Sequence, residues 1–245
     1  MINTPPCLLI ISIAGSAVKE CFKMGRPSMS EEAIRNNKIT IIKGAMDMIN
    51  EKGIQSLSAR ALGSRIGMNS ALIYRYFKDI DEVILYACVN ALQEYTADMV
   101  TSSQILNDAD DSYDSDIFML SWEIFCRHAF SRPEEFSILF FSRHSVELPE
   151  VAKDFLTLFP PSRDDSSDIM LEAMFSTTSL QSRNLILLIP ILEGKQSEND
   201  IILINDIVVS FFYALLVQLL NHDRGVTPEI QTERMLQACR KVVNL

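Results

Sequence analysis

The sequence predicts an all-α protein, on three observations. Only 8 glycines and 9 prolines punctuate 245 residues, while 11 methionines and long Leu/Ile runs fill the spaces between them, which makes a sheet-rich or repeat-turn architecture improbable. Hydrophobic residues make up 48% and charged residues 22%, enough apolar material for a well-buried core and too much for disorder to dominate. Apolar side chains recur at three- and four-residue steps through most of the chain. The length suits one large domain or two smaller ones.

Residues 1–23 differ in character from the remainder of the chain. Cys7 to Val18 has the length of a signal-peptide core, yet nothing basic precedes it except the amino terminus. Met24 opens Gly25-Arg26-Pro27-Ser28 and then an acidic helix start, so Met24 is expected to be the natural start and residues 1–23 an upstream extension. Five cysteines (7, 21, 88, 126 and 239) with no C-x-x-C spacing imply neither a zinc knuckle nor a disulfide framework.

The first helix is expected from Ser30, with Glu31 and Glu32 complementing its dipole and Ile39, Ile42, Ala45, Met46 and Ile49 on one face, until Gly53 stops it. Ser58 can cap a second helix, with Leu57 and Leu62 spaced as a hydrophobic staple. It ends near Ile66, and Gly67 supplies a tight turn. Asn69 then caps a third helix, Ser70 to Phe77, with Met68 and Ile73 as a second staple. Two short helices joined by a glycine turn make a helix-turn-helix. Ile73 and Phe77 point inward, leaving Ser70, Ala71, Leu72, Tyr74 and Arg75 largely outward. Small residues at the start allow close approach to a groove; Tyr74 can reach a phosphate, and Arg75 a phosphate or a guanine edge. The plainer reading of Tyr74 and Tyr76 is that both are core aromatics, and it suits Tyr76 better.

Charge sharpens this division. The whole chain carries 22 basic and 32 acidic side chains, net −10 with pI near 4.8, which taken alone argues against a nucleic-acid binder. Residues 24–78, however, hold nine basic against four acidic groups, net +5, whereas residues 79–245 hold 11 basic and 27 acidic, net −16. A basic module on an acidic body is the footprint of a nucleic-acid-binding head.

The stretch Gly53 to Phe77, with its Ser58 cap, Gly67 and closing Ile73-Tyr74-Arg75-Tyr76-Phe77, resembles the DNA-binding domain of TetR-family transcriptional regulators over about residues 25 to 95. That resemblance implies an all-helical homodimer: a helix-turn-helix domain (24–78) binds operator DNA, and a larger helical domain (79–245) binds a small ligand and dimerises. A helix from 79 to about 100 links the two. It implies DNA contacts by Ser58, Arg60, Asn69, Ser70, Ala71, Leu72, Tyr74 and Arg75. The family's usual lysine at the start of the fourth helix is Ile80 here, with Lys78 the nearby substitute. Gly44 and Gly63 stand where small helix formers, usually alanines, are common, at a cost of about 1 kcal/mol each, and close helix packing is the expected reason.

In the body, Asp79 and Glu82 form a capping-box-like start for the fourth helix, with the stripe Ile84, Cys88, Ala91, Tyr95 and Met99. The tract Asn107 to Asp116 holds five aspartates and reads as a solvated loop; it lacks the glycine and terminal Glu of an EF-hand, and no metal or cofactor is expected. Phe118, Trp122, Phe125, His128 and, after Pro133, Phe140 are candidates to line an apolar ligand pocket, with ordinary core as the other reading. Pro160-Pro161 and Ser162 to Ser167 break the body, and helices resume over Asp168 to Ser176 and Leu180 to Leu192. Asp200 to Asn221 and Pro228 to Val243 form the final pair. The first of these is apolar nearly all round, and Val208, Phe211, Phe212, Leu215 and Leu219, with Met235 from the second, are candidates for a subunit interface. A central core helix is the other reading. The run Ile201 to Leu220 carries Asn205, Asp206, Ser210 and Gln218, and its uncharged part from Ile207 is too short to span a bilayer; a cytoplasmic protein is expected.

The function expected is a sequence-specific regulator, a repressor released from a palindromic double-stranded operator by a small, largely apolar ligand. A protein-interaction co-regulator that has lost DNA binding is the alternative, and Ile80 is what keeps it open. A helical enzyme is more remote, since no nucleophile, base and orienting group stand at plausible spacing and no phosphate-cradling loop is present.

Overall fold

The computed structural model describes residues 30–103, 106, 113–160 and 179–244. Expectations for residues 1–23 and Met24, for most of the aspartate tract, for Pro161 to Ser167 and for a helix over Asp168 to Ser176 lie outside them. The chain divides into two compact units, 1–36 and 37–245. Of the first, Ser30 and the opening turns of helix α1 (Glu31–Lys52) are described; Ser30 Oγ accepts the Ala33 amide at 3.2 Å. All else described belongs to the second. Among the described residues there are ten α-helices, two 3₁₀ turns and no strand beyond a single bridge, Glu193 to Gln196.

After α1 come a 3₁₀ turn (Ile54–Ser56), α2 (Ala59–Ile66) and α3 (Ser70–Ile73). Ile41, Ile42, Ala45, Leu62, Ile73 and Phe77 are buried and form the core of this head. The third helix is shorter than its pattern predicts. After Ile73 the Arg75 and Tyr76 amides bond three residues back, to Leu72 and Ile73, so Tyr74 to Phe77 wind as tight turns that still bury Phe77.

Helix α4 (Ile80–Ser103) starts as the capping box predicts: Asp79 Oδ1 accepts the Glu82 amide at 2.8 Å, and the Glu82 carboxylate accepts the Lys78 amide at 2.5 Å. The predicted stripe is buried, and so are Val83, Leu85, Tyr86, Val89 and Leu92, so α4 is central rather than one-faced. Around it lie α5 (Tyr113–Ser131), α6 (Pro133–Phe141), a 3₁₀ turn (Ser145–Glu147) and α7 (Leu148–Leu158). The chain continues with α8 (Leu180–Leu192), α9 (Glu198–Leu220) and α10 (Pro228–Val243). Helix α5 begins inside the expected aspartate loop, because Asp114 and Asp116 fall in its first turn, where they complement the amide dipole. Ser179, Ser197 and Thr227 cap α8, α9 and α10 through their side-chain oxygens.

Aromatic rings fill the body. Phe212 lies 5.1 to 5.5 Å, centroid to centroid, from Phe125, Phe130 and Trp122, and Phe125 also meets Tyr95, Phe136 and Phe140. Through this core runs a polar relay: Trp122 Nε1 donates to Asn184 Oδ1, and Asn184 Nδ2 to Asn205 Oδ1, each at 2.9 Å. The three side chains are buried, and the relay satisfies groups that would be costly unpaired.

Here the expected subunit interface needs correcting. Val208, Phe212, Leu215, Leu219 and Met235 are buried in the protomer's own core, and Phe211 is half-buried with the Arg234 guanidinium over its ring. Helix α9 is apolar on both faces, so periodicity offered no polar side by which to tell inside from outside. Its exposed apolar residues are Ile202, Leu203, Ile207 and Tyr213, with Leu203 and Ile207 each 58% exposed. Helix α9 also has the length and composition of a membrane span. Its inner face nevertheless carries Asn205 in the relay, and its Gln218 accepts hydrogen bonds from Gln231 and Arg234.

Candidate nucleic-acid interface and its junction with the body

The candidate reading surface is assembled by local backbone chemistry. Ser58 Oγ accepts the Ala61 amide at 3.2 Å and Asn69 Oδ1 the Ala71 amide at 2.9 Å, so both predicted caps form and start α2 and α3. Between them Gly67 sits in the left-handed region, φ +68°, where its lack of a side chain removes the steric cost. The expectation of close packing at the two helical glycines also holds. A Cβ on Gly63 would lie 2.5 Å from the Met68 carbonyl oxygen, and one on Gly44 2.3 Å from Ile66 Cγ2. These contacts press α2 against the turn and α1 against α2, which sets where α3 projects.

On the outer side, Ser58, Arg60, Asn69, Ala71, Tyr74, Arg75 and Lys78 are exposed, and Ser70 and Leu72 are half-buried. Tyr74 is 52% exposed, which excludes it from the core, whereas Tyr76 is half-buried and its hydroxyl accepts Asn37 Nδ2 at 2.9 Å. Among the described residues neither Arg60 nor Arg75 forms a salt bridge. Arg65 differs: its guanidinium forks onto Glu51 at 2.8 and 2.5 Å, and that bond holds the Glu51 carboxyl below its ordinary range.

Residues 41–87, which span this head and the start of α4, match the family of bacterial regulatory proteins known as tetR. The family match is to this head and not to the whole chain. No curated protein sequence matches it. Its fold is similar to that of FadR from Thermus thermophilus, a TetR-family transcriptional repressor solved with lauroyl-CoA, at 10% identity and TM-score 0.52 over 84% of this chain and 94% of that one. RolR solved with resorcinol gives 14% identity and TM-score 0.49 over 85% and 94%. A transcriptional regulator from Rhodococcus sp. RHA1 gives 12% and 0.48 over 86% and 98%.

The head meets the body through ion pairs that no short-range pattern announces. Lys38 Nζ on α1 lies 2.6 Å from Asp154 Oδ2 on α7, 116 residues away, and the Tyr86 hydroxyl donates to the same oxygen at 2.6 Å. Burial alone would raise the Asp154 carboxyl, but the hydrogen bonds from Lys38 and Tyr86 outweigh it and hold the group below its ordinary value. The Lys38 ammonium also lies over the Phe77 and Tyr86 rings, 5.7 and 5.5 Å from their centroids. Lys78, expected at a phosphate, instead pairs with Glu147 on the second 3₁₀ turn, 69 residues away. The shared hydrogen bond raises the lysine and lowers the carboxyl. Ile80, where the family's lysine would stand, packs half-buried against the core.

Of the expected pocket residues, Phe118, Trp122, Phe125 and Phe140 lie in the body, with Trp122, Phe125 and Phe140 in ring-on-ring contact. His128 lies at the edge of this set, Nε2 2.8 Å from Asp98 Oδ2 and Nδ1 3.1 Å from Arg132, which pairs in turn with Glu94 at 2.7 Å. This chain of contacts clamps α5 to α4, a role its lone position in the sequence did not suggest. A cleft of about 350 Å³ lies elsewhere, where the end of α1 (Ile49, Gly53, Ile54) faces the start of α6 (Glu134, Glu135) and the end of α9 (Leu219, Leu220). Burial pushes the Glu135 carboxyl there up to about 7.

Proposed function

We propose that the protein is a ligand-responsive, sequence-specific DNA-binding regulator acting as a homodimeric repressor. The observation that carries this reading is the surface around α3. Two arginines outside any described salt bridge, Arg60 and Arg75, are exposed, as are Tyr74 and Ala71, on a helix-turn-helix whose caps and glycine contacts define its shape. Arginine and tyrosine supply phosphate contacts and base-edge hydrogen bonds, and the small residues at the start of α3 permit entry into the major groove.

In a symmetric dimer two such helices would enter successive major grooves of a palindrome about one helical turn apart. The surface that suits a second subunit is the exposed apolar set Ile186, Ile189, Ile202, Leu203, Ile207 and Tyr213 on α8 and α9, in place of the buried residues named from periodicity. A largely apolar effector suits the aromatic body, and the lauroyl-CoA held by Thermus thermophilus FadR is an example of one on this fold. Such a ligand releases the operator only by favouring a conformation in which the two heads no longer match the half-site spacing.

Titration of the protein against the DNA upstream of its own coding region, read by mobility shift, tests the proposal. Wild type is expected to give a discrete, salt-sensitive complex; Arg75→Ala should weaken it about 5- to 150-fold, at about 1–3 kcal/mol for a base contact, and Tyr74→Ala should weaken it by the loss of a phosphate contact. Wild-type affinity in both variants would remove this surface as the reading element.

A further inference from the structure

The two ion pairs that join head to body differ in kind. Lys38 is inserted under two aromatic rings, and its partner Asp154 is held by a second donor, Tyr86, so this pair pins α1 to α7. The Lys78 pair lies open to solvent, with the lysine side chain 48% exposed and, among the described residues, no ring over the ammonium and no second donor on the oxygen it touches. Lys78 stands three residues after Arg75, at the end of the reading segment. Glu147 is brought to it by the 3₁₀ turn, whose Glu147 amide bonds the His144 carbonyl oxygen at 2.9 Å. Its other oxygen faces His144 Nδ1 at 3.5 Å, and His144 Nε2 lies 3.4 Å from Asp81, which also accepts Arg143. The carboxylate is therefore positioned by the body and presented to a head cation that needs an anion. Exposed pairs of this sort are weak and screened by salt, so they are the kind a DNA phosphate can replace.

We propose that Glu147 is an internal substitute for a DNA phosphate: it withholds the Lys78 ammonium, so the body itself restrains the head's grip on the DNA backbone. This rests on the DNA-binding reading proposed for the α3 surface. Among the described residues Arg60 and Arg75 form no salt bridge in this conformation, whereas the backbone anchor at the edge of the surface is occupied. Movement of the 3₁₀ turn relative to α4 then changes DNA affinity by one phosphate contact, without any change at α3.

The experiment measures binding of the full chain to a 30-base-pair duplex of arbitrary sequence and to its upstream DNA, by fluorescence anisotropy across a salt series. Glu147→Gln should bind both about three- to eightfold more tightly at 0.1 M salt, the upper figure being one phosphate contact at about 0.9 log units per decade of salt. Glu150→Gln, which removes an exposed carboxylate one turn on, controls for the general loss of negative charge and should give a smaller gain. In a Lys78→Gln background the gain from Glu147→Gln should vanish. Should Glu147→Gln fail to fold, Glu147→Asp keeps the charge but shortens the reach, and the same gain over wild type is expected. Equal gains from Glu147→Gln and Glu150→Gln, or a gain that survives Lys78→Gln, would overturn the inference while leaving DNA binding intact. If wild type binds neither duplex even at 20 mM salt, the DNA-binding reading falls and takes this inference with it.

Discussion

The head is ordered by its own backbone: Ser58 and Asn69 hold helix starts, Gly67 turns the chain, and Gly63 lets one helix touch the next turn, all within about twelve residues. The body is ordered at a distance, by rings from α4, α5, α6 and α9 and by an asparagine relay that joins α5, α8 and α9. Local order leaves a sequence signature, and order at a distance does not. The same contrast separates how each part should fail when altered: loss of a ring leaves a void in the body, whereas an added methyl group displaces the head.

The largest effect should come from the ring at the centre of the body. Phe212→Ala removes a fully buried side chain that packs on four other aromatic residues and should cost about 3–5 kcal/mol, measured by chemical denaturation. Next, Asn184→Ala strands the Trp122 N–H and the Asn205 carbonyl, at about 1–3 kcal/mol for each group left unpaired, and should shift the fluorescence of the single tryptophan. If both body variants also abolish DNA binding while fully folded, head and body are not separable parts. Gly63→Ala sharpens the contrast from the other side. It should cost about 1–3 kcal/mol by overpacking, and it should weaken DNA binding more than its stability loss explains, because the displaced atoms belong to the turn before α3.

The smallest effect is a pH slope. Glu135 has its folded-state pKa raised to about 7 by burial against an ordinary 4.5, so between these values the folded protein holds more proton than the unfolded one. Its contribution favours the fold at low pH and is lost as the pH rises from about 4.5 to about 7. Solvent reaches this half-buried group and keeps the slope shallow. Thermal unfolding at about pH 5 and pH 8 should show a smaller difference for Glu135→Gln than for wild type; an equal difference would assign the slope elsewhere.

These contrasts explain what could be read in advance. Caps and turns were legible because each is set by residues within four positions, and so were the bounds of two helices: Pro228 to Val243 is the tenth helix as its pattern predicts, and Leu180 to Leu192 the eighth. The close packing expected at Gly44 and Gly63 proved to be contact with Ile66 and with the Met68 carbonyl oxygen. What escaped were choices of face and partner. Val208 and Phe212, candidates for a subunit interface on a helix apolar nearly all round, lie in the protomer's own core, and Asn205 lies buried in the relay. Lys78 was read as free for phosphate because the carboxylate that takes it lies 69 residues on.

The two glycine contacts have a mechanical corollary. With Gly44 against Ile66 and Gly63 against the Met68 carbonyl, α1, α2 and the turn before α3 have no slack in which to bend. A stiff head acts as a rigid arm, in which α1, α2 and the turn before α3 move as one piece. In the proposed dimer the same stiffness would make two such arms intolerant of spacing. One extra base pair between half-sites turns the second target by about 34–36°, a tenth of a helical turn, and a head that cannot flex has no means of following it.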